Sequence, residues 1–404
     1  MMTSEHPLLT AARRALSRLD LRARTADAFS SAPSPSGILA VGKCAGAMLD
    51  GARRALPPSW SGPVCAILPD GAPPPTGSDV EILRGAHPYP DVRTTVAAAR
   101  ALALSRASTS ERPLWFCLSG GGSACLGAPL PGVSVAELGE VSRALMLRGA
   151  DIRELNTVRK HLCQALGGRL GAVAGGLRVA VAVDILDEDL ALVASGPALP
   201  DETTGADARA VLDRHGLTPT LPAAITRALH DHTRVPCPTW PHVPVATPSQ
   251  LRALLAEEVR PLGPVQVLTP PLRDPMDVQA RLVPAMPGGA PLLVDVSEVS
   301  FPVPAEAPPG GRSMHLALWL ARAVRGSAFA FLALGSDGRD GPTDHAGALV
   351  THHTLEGIPG PDVDRALAEG AARELLRARG ALVPRFPSEL NLLDVHLLWR
   401  SPPG

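Results

Sequence analysis

The first half of the chain alternates short apolar runs with longer segments of helical periodicity, and this alternation constrains the fold most. Strands are predicted at residues 37–41, 64–68, 80–83, 114–118 and 179–185. Helices are predicted at residues 7–29, 45–56, 92–106, 135–147 and 152–166. This order is typical of βαβ units, in which helices cover a parallel sheet. The sequence therefore predicts an α/β fold.

A second group of elements follows a proline-rich segment at residues 236–248, which marks a domain boundary or an excursion between lobes. Its predicted strands are residues 265–268, 292–296, 328–334 and 395–399, and its predicted helices are residues 250–259, 312–324 and 363–379. A chain of 404 residues has room for two or three domains. Aromatic residues make up only 3%, so Ala, Leu and Val on many packed elements must build the cores.

Composition argues against several classes of partner. The net charge is −1 and the arginines are scattered, so we expect no nucleic-acid partner and no anionic membrane partner. No apolar run reaches the length of a membrane span, and the N-terminus lacks the apolar centre of a signal peptide. The six cysteines are far apart and form no CxxC pair, which favours reduced, buried thiols. We expect a cytoplasmic protein.

Only two of the 38 basic residues are lysines, Lys43 and Lys160. Arginine cannot replace lysine where a compact or titratable ammonium is needed, so both are candidate site residues, although chance would also explain them. Residues 37–43 match the spacing of a phosphate-binding P-loop, but the intervening residues are apolar and Cys44 replaces the magnesium-binding hydroxyl. The segment instead predicts a strand that places Lys43 at the carboxyl edge of the sheet, where ligands of open α/β sheets bind.

A glycine-rich segment directly follows the strand predicted at residues 114–118. It consists of Ser119, Gly120, Gly121, Gly122 and Ser123. Three glycines permit positive φ and close backbone approach, so their N–H groups can converge on an anion. Cys125 replaces the third glycine of a dinucleotide-binding pattern, and neither serine fits a nucleophile elbow. The segment is a candidate phosphate loop, and a plain tight turn is the alternative.

Carboxylates also follow predicted strands. Asp337, Asp340 and Asp344 occupy a glycine-rich loop after residues 328–334, and Asp184 lies near the end of the strand at residues 179–185. Such carboxylates suit magnesium binding or a general base, whereas a solvated loop is the alternative.

Two further groups have the chemistry of an anion site. Arg312 opens a predicted helix after two glycines, where a guanidinium beside free N–H groups can grip a carboxylate or phosphate. Asn156, Arg159 and Lys160 share one helix face by their spacing, and a solvated face is the alternative. Among the histidines we select His87, which precedes a Pro-Tyr-Pro-Asp run.

Taken in order, these segments resemble the glycerate 2-kinase family over nearly the whole chain. The resembling segments are residues 41–48, 87–91, 119–124, 156–162 with 167–170, 194–197, 310–312 and 336–343. Each segment alone is a weak match, but seven in the correct order are specific.

The resemblance implies two domains. Residues 1–235 would form a DUF4147-like N-terminal domain with a Rossmann-like three-layer α/β/α fold. Residues 236–404 would form a smaller α/β domain of the MOFRL type, with the active site in the cleft between the domains. The implied activity is ATP-dependent phosphorylation of the 2-hydroxyl of glycerate or a related small hydroxy acid, with Mg²⁺. A homodimer is an option.

The resemblance also suggests roles for the candidate residues. Lys43 and Arg312 would bind the transferring phosphoryl group or the substrate carboxylate, and Asp337 would accept or orient the hydroxyl proton. His87 and Arg159 would bind the substrate, and Asp184 or Glu298 would help to hold magnesium. The ATP-binding set would be Ser119, Gly120, Gly121, Gly122, Ser123, Asn156, Lys160, Ser195, Gly196 and Asp340.

Several positions depart from the family pattern. Leu166 stands where the family usually has lysine, and residues 313–315 replace its usual Asn-Gln-Glu. Two alternatives therefore stay open. The chain is a kinase for a different hydroxy or sugar acid, or a catalytically weakened binding or regulatory protein on the same fold. A hydroxypyruvate reductase is disfavoured because no dinucleotide fingerprint is present.

Overall fold

The computed structural model describes residues 5–231, 235–284 and 292–400, which form two compact units. We call them the central unit (Leu21–Ala246) and the terminal unit (Met1–Asp20 with Thr247–Gly404). The division predicted at residue 235 differs from these units in two places. The first helix, α1 (Pro7–Arg18), belongs to the terminal unit, and a strand that follows residue 235 completes the sheet of the central unit.

The central unit is built on a six-stranded parallel sheet. Its strands are β1 (Gly37–Val41), β2 (Val64–Pro69), β3 (Glu81–Gly85), β4 (Leu114–Leu118), β5 (Leu177–Ala182) and β6 (His242–Ala246). Its helices are α2 (Leu21–Phe29), α3 (Ala45–Arg54), α4 (Arg93–Arg106), α5 (Gly122–Cys125), α6 (Val135–Leu147), α7 (Ile152–Leu162), α8 (Arg169–Ala172), α9 (Gly205–Arg214) and α10 (Ala223–Asp231). All neighbouring strands are parallel, in the order β3-β2-β1-β4-β5-β6.

Helices cover both faces of this sheet. Every residue of β1, β2 and β4 is buried, which is why these strands have continuous apolar sequences. Phe116 of β4 belongs to a core that it shares with α4, α6 and α7. Its neighbour Trp115 stacks on Phe29 of α2 with ring centroids 4.6 Å apart. The predicted Rossmann-like three-layer fold is therefore confirmed.

The strand order creates one special position at the carboxyl edge of the sheet. β1 and β4 are neighbours, but the chain continues from β1 to β2 and β3 on one side and from β4 to β5 and β6 on the other. Open α/β sheets bind their ligands at such a topological switch point. Lys43 and the glycine-rich segment 119–123 follow these two strands and therefore lie there.

The terminal unit contains a mixed sheet. Its strands are β7 (Val265–Val267), β8 (Leu292–Ser297), β9 (Phe329–Gly335), β10 (His345–Thr351), β11 (Leu382–Pro384) and β12 (Asp394–Arg400). Besides α1, its helices are α11 (Pro248–Val259), α12 (Pro275–Arg281), α13 (Arg312–Ala323), α14 (Gly360–Ala368) and α15 (Ala372–Ala378). The order is β11-β10-β9-β12-β8-β7, and only the β7–β8 pair is parallel. The predicted second α/β domain thus has a predominantly antiparallel sheet.

Three predicted helices differ from those observed. The segment at residues 7–29 forms α1 and α2, because its two halves pack into different units. The segment at residues 363–379 forms α14 and α15, because Gly370 adopts a left-handed φ of 70° and ends the first helix. Helix α7 ends before Cys163, whose extended backbone pairs with Pro129.

Other elements were not predicted. β6 lies inside the proline-rich segment, and its Pro244 is tolerated because β6 is an edge strand. β10 contains Gly347, which obscures its apolar alternation. Helices α9, α10 and α12 were also missed. No helix within the described residues has the length and apolar character needed to cross a membrane.

A carboxylate from a distant loop caps α13. The backbone N–H groups of Ser313 and Met314 donate to Asp340 at 3.1 and 2.7 Å. Gly311 at the N-cap makes room for it, because a Cβ there would lie 2.1 Å from the Asp340 carboxyl carbon. Burial, with the neighbouring Asp394, raises the pKa of Asp340 to about 7. In this structure Asp340, predicted to bind ATP, caps a helix.

Replacing Gly311 by alanine should destabilise the protein. The added methyl group would displace Asp340 from the helix N-terminus, so we expect the free energy of unfolding to fall by about 2 kcal/mol or more. The matched control is Gly310→Ala, because a Cβ at Gly310 meets nothing closer than 3.6 Å. Urea denaturation of both variants checks this, and equal losses would contradict the capping argument.

The titration of Asp340 should make stability depend on pH. Its pKa is raised in the folded state, so its stabilising contribution is complete below about pH 4 and is lost as pH rises towards 7. Asp340→Asn cannot titrate. Between pH 4.5 and 7.5 the unfolding free energy of the unchanged protein should fall by about 2 kcal/mol or more relative to this variant. A pH-independent difference in urea denaturation would refute the assignment.

Candidate functional site

The loops after β1 and β4 are joined to each other by backbone contacts. The Lys43 N–H donates to the Gly120 carbonyl at 2.8 Å, and the Cys44 N–H donates to the Ser119 hydroxyl at 3.1 Å. Gly42 has a φ of 111°, and a Cβ on it would lie 2.4 Å from the Ser119 carbonyl oxygen. The start of the glycine-rich segment is therefore fixed against the residues that carry the lysine. Ser119 and Gly120 are buried.

Lys43 and His87 meet at Gly121. An ideal Cβ on Gly121 would lie 3.2 Å from Lys43 Cγ and 3.3 Å from His87 Cδ2, and φ at this glycine is 84°. Gly121 is partly exposed, whereas Gly122 is buried. The Lys43 side chain is half-buried, and it makes no ion pair with any carboxylate among the described residues. Within the described ranges, therefore, no carboxylate compensates its positive charge.

Arg159 is a second cation without a carboxylate. Its side chain extends from α7, is 7% exposed and donates from Nη2 to the Pro88 carbonyl at 3.2 Å. Burial lowers the pKa of Arg159, and the part of the chain that the structure describes offers it no acidic partner. An uncompensated buried guanidinium is costly, and an anionic ligand would supply the missing charge.

His87 is uncharged at neutral pH. The pKa of His87 is lowered to about 4, mainly by loss of hydration and to a smaller extent by the positive charges of Lys43 and Arg159. His87 nevertheless stays exposed as a residue. A neutral imidazole can give or accept one hydrogen bond, so His87 can contact a polar ligand without adding charge.

Asp184 brings one carboxylate to this edge of the sheet. It follows β5 and lies so close to Gly120 that a Cβ there would overlap Asp184 Oδ2 at 1.6 Å. Mg²⁺ in phosphoryl-transfer sites commonly uses one or two carboxylates together with substrate phosphates, and Asp184 beside the glycine-rich segment fits that mode. Over the described ranges no three His, Cys, Asp or Glu side chains group as a metal cage.

Three predicted ATP-binding residues form a hydrogen-bonded chain behind the glycine-rich segment. The Ser123 and Ser195 hydroxyls are 2.8 Å apart, and Ser195 donates to Asn156 Oδ1 at 2.7 Å. Asn156 and Ser195 are almost fully buried, as is Gly196 beside them. Ser123 is partly exposed. The chain therefore connects α7 to Ser123, the partly exposed serine of the segment.

The second lysine has a different environment. Lys160 is 7% exposed, and its Nζ lies 3.3 Å from the carboxylate of the equally buried Asp201. His161 approaches the same carboxylate at 3.6 Å. Lys160 is thus compensated within the fold. Asp201 was not selected from the sequence, because nothing in its Leu-Pro-Asp-Glu context distinguishes it from a loop residue.

The remaining candidates belong to the terminal unit. Arg312 binds Asp394 through Nε at 2.5 Å and Nη2 at 3.2 Å, and its Nη1 binds the exposed Glu298. Asp337 accepts hydrogen bonds from the Arg339 N–H at 3.0 Å and from Asn391 Nδ2 at 3.4 Å. Arg312 is charge-compensated, unlike Lys43 and Arg159. Catalytic roles for Arg312 and Asp337, and metal binding by Glu298, stay predictions.

Comparison with protein families matches both parts of the chain. A model described as a domain of unknown function, DUF4147, matches residues 9–230, and the MOFRL family model matches residues 294–394. The first match alone covers more than half of the chain.

Individual proteins agree with the family models. D-glycerate 2-kinase of Thermotoga maritima is 31% identical over 355 residues, covering 78% of this chain and 79% of its own length. Glycerate 2-kinase of Pyrococcus horikoshii is 28% identical over 338 residues, covering 78% and 77%. The crystal structure of glycerate kinase from Thermotoga maritima aligns with a TM-score of 0.85 at 26% identity, over 98% of this chain and 99% of that one. On sequence, domain content and fold, this chain belongs to the glycerate 2-kinase family of phosphotransferases.

Proposed function

We propose that the protein transfers the γ-phosphoryl group of ATP to the 2-hydroxyl of glycerate or a closely related small hydroxy acid. One observation carries the proposal. Lys43 and Arg159 lack carboxylate partners among the described residues, and both lie near the switch point of the central sheet. Glycerate and its phosphorylated product are both anions. The relatives named glycerate 2-kinase support this choice of substrate.

The two cations suit different parts of the reaction. A guanidinium pairs with a planar carboxylate through parallel hydrogen bonds, so Arg159 is assigned to the acid group, with His87 beside it. The ammonium of Lys43 is a compact charge on a flexible stem, which suits an oxygen of the moving phosphoryl group. Phosphoryl transfer requires mainly positioning and neutralisation of charge, and these residues provide both.

Three glycines of the glycine-rich segment, Gly120, Gly121 and Gly122, are assigned to the nucleotide together with Asp184. Gly121 exposes backbone without a side chain, so an anionic group can approach it closely. Asp184 would hold Mg²⁺ together with the phosphates, and this ion would neutralise part of their charge. Ser195 and Asn156 act here as buried supports of the segment. Lys160, paired with Asp201, is assigned no direct contact.

A second candidate function is a binding protein that has lost turnover. The fully buried Leu166 favours this candidate, because the family usually has a lysine at that position. Lys160 is not free to replace the missing lysine, because it forms an ion pair with Asp201. Measured ATP turnover with D-glycerate and a panel of other hydroxy and sugar acids decides between the candidates.

Lys43→Ala should abolish most of this turnover. Loss of a cation that contacts the transferring group should lower kcat/KM by about 100-fold or more, measured as ADP formation with Mg²⁺ and D-glycerate. The control is Arg54→Ala, which removes one exposed positive charge from the other end of α3. Circular dichroism checks that both variants fold. Normal turnover in Lys43→Ala would remove this lysine from the mechanism.

Arg159→Met should separate binding from stability. The apolar side chain removes an uncompensated buried charge, so the melting temperature should stay within a few degrees while KM for the acid rises about 10-fold or more. KM for ATP should change less. The control is Arg169→Met, because Arg169 is similarly buried and its Nη1 joins two backbone carbonyls, those of Lys160 and Leu166, whereas Arg159 bonds to one carbonyl. It should lose stability without a selective rise in KM for the acid. An unchanged KM in Arg159→Met would contradict the assignment.

A further inference from the structure

The direction of the hydrogen bonds behind Ser123 follows from simple chemistry. The carbonyl of Leu192 can only accept, so the atom of Asn156 that lies 3.0 Å from it must be the amide nitrogen. The amide oxygen of Asn156 therefore faces Ser195. Asn156 is 1% exposed, so water cannot replace these hydrogen-bond partners.

The same logic determines where the two hydroxyl hydrogens point. The amide oxygen of Asn156 accepts only, so the Ser195 hydroxyl donates to it at 2.7 Å. Ser195 has no second hydrogen to give. In the 2.8 Å contact between the two serines, Ser123 must then be the donor. The Ser123 hydroxyl consequently has only lone pairs left for any ligand that approaches this partly exposed residue.

The backbone around Ser195 holds this arrangement in place. Ala194, Ser195 and Gly196 have φ values of 49°, 58° and 54°, a left-handed run that is unfavourable for the first two residues. Hydrogen bonds from Gly167 N to the Ser195 carbonyl at 3.0 Å and from Gly168 N to the Gly196 carbonyl at 2.8 Å support it. The surrounding structure thus maintains Ser195 at a conformational cost.

Ser123 lies in the same segment as Gly121, which contacts Lys43 and His87. Lys43 and Arg159 can only donate hydrogen bonds, so they suit carboxylate and phosphoryl oxygens. Ser123 has the opposite polarity. The group it can recognise is a ligand hydrogen, such as that of a hydroxyl.

We propose that Ser123 is a specificity-determining residue that accepts a hydrogen bond from the 2-hydroxyl of the substrate and so selects a hydroxy acid over the corresponding keto acid. The inference rests on the proposed function, because it assumes that a small acid binds beside Lys43 and Arg159. A keto oxygen carries no hydrogen and would face the lone pairs of Ser123. The same contact turns the hydroxyl hydrogen towards Ser123, which leaves a lone pair of the reacting oxygen available.

The test compares the affinities of D-glycerate and hydroxypyruvate, which differ in oxidation state only at carbon 2. Isothermal titration of the full-length protein without ATP gives the ratio of the two dissociation constants. Ser123→Ala removes the acceptor, and Ser195→Gly frees the Ser123 hydroxyl to turn and donate. Glycine readily adopts the left-handed backbone conformation at position 195. Ser195→Gly therefore tests the proposal even if Ser123→Ala fails to fold. The control is Ser134→Ala, which removes an exposed cap of α6.

We expect both site variants to lower the preference for D-glycerate about 10-fold and the control to leave it unchanged. An unchanged ratio in a folded site variant would overturn the inference. So would equal affinity of the unaltered protein for both acids. If that protein phosphorylates D-glycerate while the ratios stay constant, only this inference falls. If it neither binds nor phosphorylates the acid, the proposed function falls as well.

Discussion

The close contact between the ends of β1 and β4 is the constraint on which the candidate site depends. Gly42 touches the Ser119 carbonyl so closely that any side chain would collide with it, and Lys43 N–H bonds to the Gly120 carbonyl. Both strand ends are held in register by parallel pairing, with Val41 opposite Leu118. The position of His87 against Gly121 and of Asp184 against Gly120 follows from this anchored loop.

The two lysines differ in whether a carboxylate neutralises their charge, a difference that the sequence does not show. Lys160 has the carboxylate of Asp201, whereas Lys43 has no carboxylate partner within the described residues. The arginines divide in the same way. Arg312 lies between Asp394 and Glu298, whereas Arg159 donates to the uncharged Pro88 carbonyl and Ser142 hydroxyl. A cation removed from water without a counterion is unfavourable. The protein retains Lys43 and Arg159 in this state, as expected if a ligand completes the charge balance.

Sequence patterns predicted the candidate site best where neighbouring residues in the chain explain the residue type. The glycines after β4 and the lysine after the glycine that ends β1 can be recognised without knowing their contact partners. Both groups lie at the switch point. Prediction was poorer where packing overrode local preference. The helix predicted at residues 7–29 forms two helices in different units. The edge strand that contains Pro244 was not predicted, because it lies in a proline-rich segment. The sequence also showed no sign that Asp340, predicted to bind ATP, accepts hydrogen bonds from the N-terminus of α13.

The sequence alone determined the α/β class, the parallel central sheet, the family and the loops that would carry the candidate site, because periodicity and glycine placement are local properties of the chain. Tertiary structure alone decided which charges are neutralised and which way the hydroxyl hydrogens point. The physical reason is that these properties depend on partners far away along the chain. Lys160 meets Asp201 across 41 residues, Arg312 meets Asp394 across 82, and Ser123 meets Ser195 across 72. Burial, which makes an unpaired charge or hydroxyl significant, exists only after these segments pack together.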